Sequence, residues 1–150
     1  MKASFEELTR LLADAEFLKP FGFVLESCAL KECMIRVPYA AGLERPGGIV
    51  SGITLMAVAD VAMWVAVMTE RGTSEQWVTT DMKTAFLSGA RETDIHCSAR
   101  VLKLGKRTAY GTAECRTARG DLLTHHVLTY ALVNSAQPPS TGAPPRSPAA

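Results

Sequence analysis

A chain of 150 residues, 47% hydrophobic and 21% charged, is long enough to bury one real core and too apolar to be disordered as a whole. Sixteen Lys and Arg against fifteen Asp and Glu leave a formal charge of +1, which excludes a global field that recruits nucleic acid or an acidic membrane. Any anionic ligand must be met by local groups.

In chain order, Ser4 followed by Glu7 forms a capping box, and Phe5, Leu8, Leu11, Leu12, Ala15 and Leu18 continue a helical stripe that stops before Pro20. This predicts an N-terminal amphipathic helix within residues 1–19. Its acids and helical period also argue against a secretion signal. The runs "FGFVLESCAL" and "ECMIRVPY", separated by a charged Lys-Glu pair, predict a β-hairpin ending at Pro38. A Gly- and Pro-containing loop, "AAGLERPGG", then leads into "VSGITLMAVADVAMWVAVM".

That apolar run is long enough to raise the question of a membrane span, yet Asp60 stands at its centre and no basic flank sets an orientation. A helix that is hydrophobic all round is also what the buried core of a globular fold requires. Four long extended segments follow, "QWVTTDMKTAFL", "TDIHCSARVLKL", "RTAYGTAECRT" and "LLTHHVLTYALV", joined by "SGARE", "GK" and "ARGD". In the first, alternation places Val78, Thr80, Met82, Thr84 and Phe86 on one face and Thr79, Asp81 and Lys83 on the other. The joints suit antiparallel turns, so the four segments are expected in one sheet. Residues 134–150 hold five of the eight prolines and little that can pack, and are expected to be a disordered tail.

Cys28, Cys33, Cys97 and Cys115 show no CxxC pair and no metal-type spacing with histidine, and read as reduced thiols of a cytoplasmic protein. His125 and His126 are adjacent in a strand and point to opposite faces, so they cannot share a metal ion. No metal is expected.

Asp60 is the residue that asks for a chemical explanation. Its helical neighbours Met56, Ala57, Met63 and Trp64 are apolar, an environment that penalises a bare carboxylate and suits a group kept for chemistry. A helix beginning near Ser51 aims free N–H groups, that of Gly52 included, at one spot, and its dipole favours negative charge there. Ser51 is the natural N-cap of such a helix. Nine residues separate Ser51 from Asp60, about 13 Å along one helix, too far for both to hold one carbonyl. Two chains are needed to complete a site. Lys103, Lys106 and Arg107 around Gly105 form a local basic cluster that, with Arg91, is a candidate for binding phosphates. Gly48 closes a turn that lets backbone pass close to a ligand. Thr80 and Trp64 are further candidate contacts, and Trp64, Trp77, Phe86 and Tyr110 are aromatic candidates for a pocket wall.

The order of elements, the run "VSGITLMAVAD", the segment "TTDMKTAFLSGAR" after the helix and the "KLGKR" turn together resemble the hotdog-fold thioesterases of the phenylacetate-degradation type. The likeness covers roughly residues 20–133. In that family a His-Gly-Gly signature precedes an acid in the helix; here Ser51, Gly52 and Ile53 occupy the signature and Asp60 the acid, while Arg45 stands about where some relatives carry a catalytic Asn. The resemblance implies an α+β hotdog domain over residues 1–133, a long central helix wrapped by a curved antiparallel sheet. It also implies hydrolysis of an acyl-CoA thioester, with Asp60 as general base or nucleophile and the Gly52 amide as oxyanion donor. It implies a homodimer or homotetramer with sites at the subunit interface, and coenzyme A as part of the substrate rather than as a cofactor. Loss of the signature His gives an alternative, a non-catalytic acyl-CoA binding or sensing protein on the same fold.

Overall fold

The computed structural model describes residues 1–133; the segment expected to be a disordered tail lies outside the described residues. Helix α1 (Phe5–Asp14) begins at the expected capping box, in which Ser4 N–H donates to Glu7 Oε2 at 2.7 Å and Glu7 N–H to Ser4 Oγ at 3.1 Å. The stripe does not run as one helix to Leu18. Ala15 is extended, and Glu16–Leu18 form a separate 3-10 turn that still delivers Leu18 to the core.

Strands β1 (Val24–Ala29) and β2 (Glu32–Val37) form the expected hairpin. Its two-residue turn is Leu30–Lys31, and Lys31 N–H donates to Thr69 Oγ1 at 2.7 Å, which ties the hairpin to the central helix. The segment read as a plain loop contains a short pair, β3 (Glu44–Arg45) with β4 (Ile49–Val50), folded over Pro46-Gly47-Gly48. Gly47 and Gly48 have φ of 101° and 73°, the left-handed region such a tip requires.

Helix α2 (Gly52–Arg71) is the apolar run. It is long and apolar enough to cross a membrane by length and composition, but twelve of its twenty residues are buried inside this fold. A six-stranded antiparallel sheet covers it, in the order β1-β2-β6-β7-β8-β5, with β5 (Gln76–Phe86), β6 (Ile95–Leu104), β7 (Thr108–Thr117) and β8 (Leu122–Val133). The four late segments do share one sheet, but β5 pairs with β8 at the far edge and not with β6. The "SGARE" joint is therefore a crossover, while "GK" and "ARGD" close hairpins.

Along β6, Ile95, Cys97, Ala99 and Val101 are buried and the residues between them face outward, as a strand with one face on a helix should be patterned. In β5 the expected alternation fails at one point. A β-bulge lies between Thr79 and Asp81 of β5, where these residues pair with Tyr130 and Thr129 of β8. The extra residue, Thr80, shifts the parity of everything after it. Before the bulge the inward residues are Trp77 and Thr79; after it they are Met82 and Thr84, with Phe86 in contact with α2. Val78 and Thr80 thus do not share the face of Met82, contrary to the sequence pattern.

Small residues in β6 and β7 let α2 approach the sheet closely. A Cβ on Gly111 would collide with the carbonyl oxygen of Arg100 and lie 2.7 Å from Met63 Cε. Replacing Gly111 by Ala is expected to cost about 1–3 kcal/mol of stability through overpacking, read as a lower urea midpoint with unchanged slope. An unshifted midpoint would show that β7 and α2 can move apart at no cost.

Candidate functional site

Two parts of α2 carry chemistry. At its start, Ser51 is the N-cap: its Oγ accepts from Ile53 N–H at 3.2 Å, and its carbonyl from Thr54 N–H at 3.0 Å. Gly52 N–H meets no acceptor among the described residues, so it is an uncommitted donor at the positive end of a twenty-residue helix. The Phe86 ring lies over the Gly52 Cα, and a Cβ there would stand 2.9 Å from Phe86 Cε1. A cavity of about 270 Å³ opens at this point, lined by Gly52, Leu55, Phe86, Ile49, Val50 and Arg45 among others.

Eight residues further, about 12 Å along the axis, stands Asp60. Its surroundings differ from the wholly apolar ones the sequence suggests, because Thr79 Oγ1 donates to Asp60 Oδ1 at 2.5 Å and the Tyr130 hydroxyl lies 2.6 Å from the same oxygen. That hydroxyl is also 2.5 Å from the Asp60 carbonyl oxygen. Burial, and then the carboxylate beside it, push the Tyr130 phenol well above its usual range, so it remains a donor. Thr79 and Tyr130 face each other across β5 and β8. Sequence reasoning missed both: Thr79 is brought inward only by the bulge, and Tyr130 lies seventy residues from its partner.

The remaining candidates divide into two groups. Arg91 joins the hairpin tip: its Nη1 donates to Gly47 O at 2.5 Å and lies 3.3 Å from where a Gly48 Cβ would be. Arg91, Gly48 and Arg45 thus cluster at the Gly52 end. Lys106 and Arg107 lie at the opposite end of α2, where Arg71 donates to the carbonyl oxygens of Gly105 and Lys106 at 3.4 Å each. Within one protomer they are separated from Arg91 by the length of the helix, about 28 Å. Thr80, the bulge residue, donates to Thr129 O at 3.2 Å, while its neighbour Thr79 makes the contact to Asp60. Trp64 is half-buried one turn beyond Asp60, Trp77 is buried with Nε1 donating to Glu75 at 2.8 Å, and Tyr110 lies on the outer face of β7, away from α2. Those four aromatics therefore do not form one wall.

His126 is fully buried, its Nδ1 2.8 Å from Thr84 Oγ1 and its Nε2 2.6 Å from Thr124 Oγ1. All four cysteines are free, and only Cys28 is not buried.

A long central helix against a six-stranded antiparallel sheet is the hotdog fold. Residues 47–124 match the Thioesterase superfamily, and the chain belongs to that family. Among curated proteins it is similar to Ta0293 of Thermoplasma acidophilum, whose name carries only a provisional esterase assignment, at 26% identity over 125 residues, 83% of this chain and 94% of that one. Among solved structures it is similar to the conserved protein PA5202 of Pseudomonas aeruginosa, with TM-score 0.77 and 27% identity over 83% of this chain and 98% of that one. The thioesterase HI1161 of Haemophilus influenzae gives TM-score 0.80 at 19% identity over 89% and 94% of the two chains. The PaaI protein from the phenylacetic acid degradation operon of E. coli gives 0.77 at 15% over 85% and 91%. The family supports thioester hydrolysis as the general chemistry.

The Tyr130–Asp60 contact is checked by a double-mutant cycle. Tyr130→Phe is expected to cost about 1 kcal/mol, and with Asp60→Ala to show a coupling of about 0.5–3 kcal/mol in urea unfolding; additive effects would mean that the two groups do not meet.

Proposed function

We propose that the protein hydrolyses an acyl-CoA thioester at a site completed by two copies of the chain. The observation that carries this is the pairing of an uncommitted Gly52 amide with an accessible Asp60 carboxylate, on one helix yet too far apart to hold one carbonyl. The uncovered side of α2 supports it. Ile53 is 74% exposed, and Met56, Ala57, Asp60 and Trp64 continue the same stripe, while β5 offers an edge eleven residues long that is unpaired among the described residues. An edge of that length with exposed Val78 and Phe86 is a template for pairing with a second copy. Antiparallel pairing about the middle of β5 sets the Thr79 end of one protomer beside the Phe86 end of its partner, and so Asp60 of one near Gly52 of the other. A dimer is thus the smallest unit that closes the site, and a tetramer built from two such dimers keeps it.

In this site the Gly52 N–H receives the charge that develops on the thioester oxygen, with the helix dipole behind it. Asp60 acts in one of two ways. As general base it takes a proton from water, hydroxide adds to the acyl carbon, and the C–S bond breaks to release the coenzyme A thiolate, which takes up a proton. As nucleophile its Oδ attacks the acyl carbon, expels the thiolate and forms an anhydride that water then opens. Arg45 and Arg91 at the hairpin are suited to the phosphates of coenzyme A, and Lys106 and Arg107 of a neighbouring copy extend that surface. No cofactor is needed, and four free thiols fit a reducing cytoplasm.

Release of free coenzyme A, followed by chromatography, tests the proposal. Asp60→Asn is expected to lower kcat by at least a hundredfold while acyl-CoA binding stays within a fewfold, since shape is kept and charge removed. An unchanged rate would remove Asp60 from the chemistry. Binding that raises Tm without release of coenzyme A from the native protein would favour a sensor, the role to which the absence of a His at Ser51 points. Single turnover in ¹⁸O-water tests the nucleophilic role: label in Asp60 requires an anhydride that water opens at the Asp60 carboxyl carbon, and a general base acquires none.

The shared site is tested by mixing Asp60→Asn chains with Gly52→Val chains, in which the Val side chain crowds the helix start and displaces the Phe86 ring. Each heterodimer retains one intact site and is expected to recover turnover that neither parent shows. Heterodimers that form yet stay inactive would place the whole site in one protomer.

A further inference from the structure

The cysteines fall into two pairs that the topology sets face to face. Cys28 of β1 is opposite Cys33 of β2, and Cys97 of β6 is opposite Cys115 of β7. Directly opposed residues of an antiparallel pair point to the same face of the sheet. Here that is the helix side, where Cys33, Cys97 and Cys115 are buried and Cys28 is half-buried against the core. The backbone pattern brings each pair close. Across a two-residue turn, Ala29 and Glu32 must exchange the last hydrogen bonds of the first hairpin, so the next pair, Cys28 and Cys33, is a non-hydrogen-bonded one. In β6, Val101 N–H donates to Lys31 O at 2.9 Å, which turns the backbone groups of Val101, Ala99 and Cys97 toward β2 and leaves Cys97–Cys115 non-hydrogen-bonded as well. Such partners have Cα atoms about 4.5 Å apart, within the range of about 4.4–6.8 Å that a disulfide spans.

We propose that Cys28 and Cys33 are a redox-active dithiol that exchanges reversibly with low-molecular-weight disulfides. Access separates this pair from the other. Cys97 and Cys115 are both 0% exposed, and Cys115 Sγ meets Leu55 O at 3.7 Å and His126 Nε2 at 3.8 Å. The Cys97 thiol and then His126 pull the Cys115 thiol below its usual range, yet a sulfur that no reagent can reach does not exchange. Burial and then the Glu6 carboxylate raise the Cys28 thiol, which slows its reaction, but Cys28 is the one cysteine that is not buried. The Cys28 thiolate attacks one sulfur of the small disulfide, forms a mixed disulfide and expels a thiolate, which takes up the proton that Cys28 lost. Cys33 then attacks the Cys28 sulfur, the Cys28–Cys33 bond forms, and the second small thiol leaves with the Cys33 proton. Two electrons pass from the protein to the reagent. In the reduced protein the Cys33 thiol donates to Ala62 O at 3.0 Å, two residues beyond Asp60 on α2. Closing the bridge removes that donor, so the state of the hairpin is felt by the central helix.

The test incubates the folded chain with glutathione disulfide, blocks the remaining thiols by alkylation and maps the peptides by mass. Trypsin cleaves after Lys31, between the two cysteines, so a Cys28–Cys33 bridge holds two peptides together. The native protein is expected to lose about 2 Da, to carry that bridge and to regain both thiols with dithiothreitol, while Cys97 and Cys115 are alkylated only after denaturation. Cys28→Ser is expected to slow thiol loss about tenfold or more, and Cys33→Ser to keep one glutathione on Cys28. Glutathione that stays on Cys28 in the native protein would show that the two sulfurs do not meet. Loss of thiols first at Cys97 and Cys115 would move the redox chemistry into the core. A folded chain that does not react, where the urea-unfolded chain does, would make Cys28 a structural thiol. Each of these three results overturns the proposal, and none of the readouts depends on hydrolysis at Asp60.

Discussion

The structure depends on covering one helix. Most residues of α2 are apolar, and each large side chain it buries contributes about 1.5–3 kcal/mol, so a chain this short is organised around that single element. The sheet meets the need on all sides but one. What is left is a stripe that carries Ile53, Met56, Ala57, Asp60 and Trp64, and it is there that the only carboxylate in the first eighteen residues of the helix is found. The apolar surface that remains uncovered and the acid that stands in it are one feature. The same incompleteness that offers a face to a partner in the proposed dimer exposes the proposed catalytic group.

Coverage also explains the composition of the strands. Ala99, Ala109, Gly111 and Ala113 lie where the helix passes, and larger side chains there would force it away from the sheet. Cys33 and Cys115 fit the same surface and turn their thiols toward the helix carbonyls of Ala62 and Leu55. At the far end, Arg71 binds Glu75, stands over the Trp77 ring at 5.2 Å and donates to the Gly105 carbonyl of the β6–β7 turn, which ties the exit of α2, the start of β5 and the basic turn together.

Local patterns made much of this legible. The Ser4–Glu7 box, the hairpin of β1 and β2, the Ser51 cap and the helix after it are written in residues a few positions apart, and the structure realises each. What depends on distant pairing was not legible. Nothing local marks Thr80 as an extra residue, yet that bulge decides whether Thr79 or Thr80 meets α2, and the simple alternation chose Thr80. Tyr130 reaches Asp60 only because β8 lies beside β5, a neighbour relation that skips β6 and β7. Lys106 and Arg107 formed a plausible cluster with Arg91 in the sequence, and the topology sends them to opposite ends of the helix. Asp60 and Gly52 were readable because helix geometry alone makes an acid in an apolar run and a free N-terminal amide conspicuous.

Strand β5 then links the two halves of the proposed site. It touches α2 at both chemically important points, Thr79 at Asp60 and Phe86 over Gly52, and so runs opposite in direction to the helix. It is also the edge of the sheet. In the proposed dimer, any two-fold axis that pairs this edge with its copy reverses the strand, so each Asp60 is carried toward the partner's helix start without a further adjustment of the fold. The bulge keeps Thr79 on the helix side in the first half of β5, and Phe86 on that side in the second. Without the shift of parity, one of these two contacts would face solvent, and no single register of the edge would serve both the carboxylate and the amide.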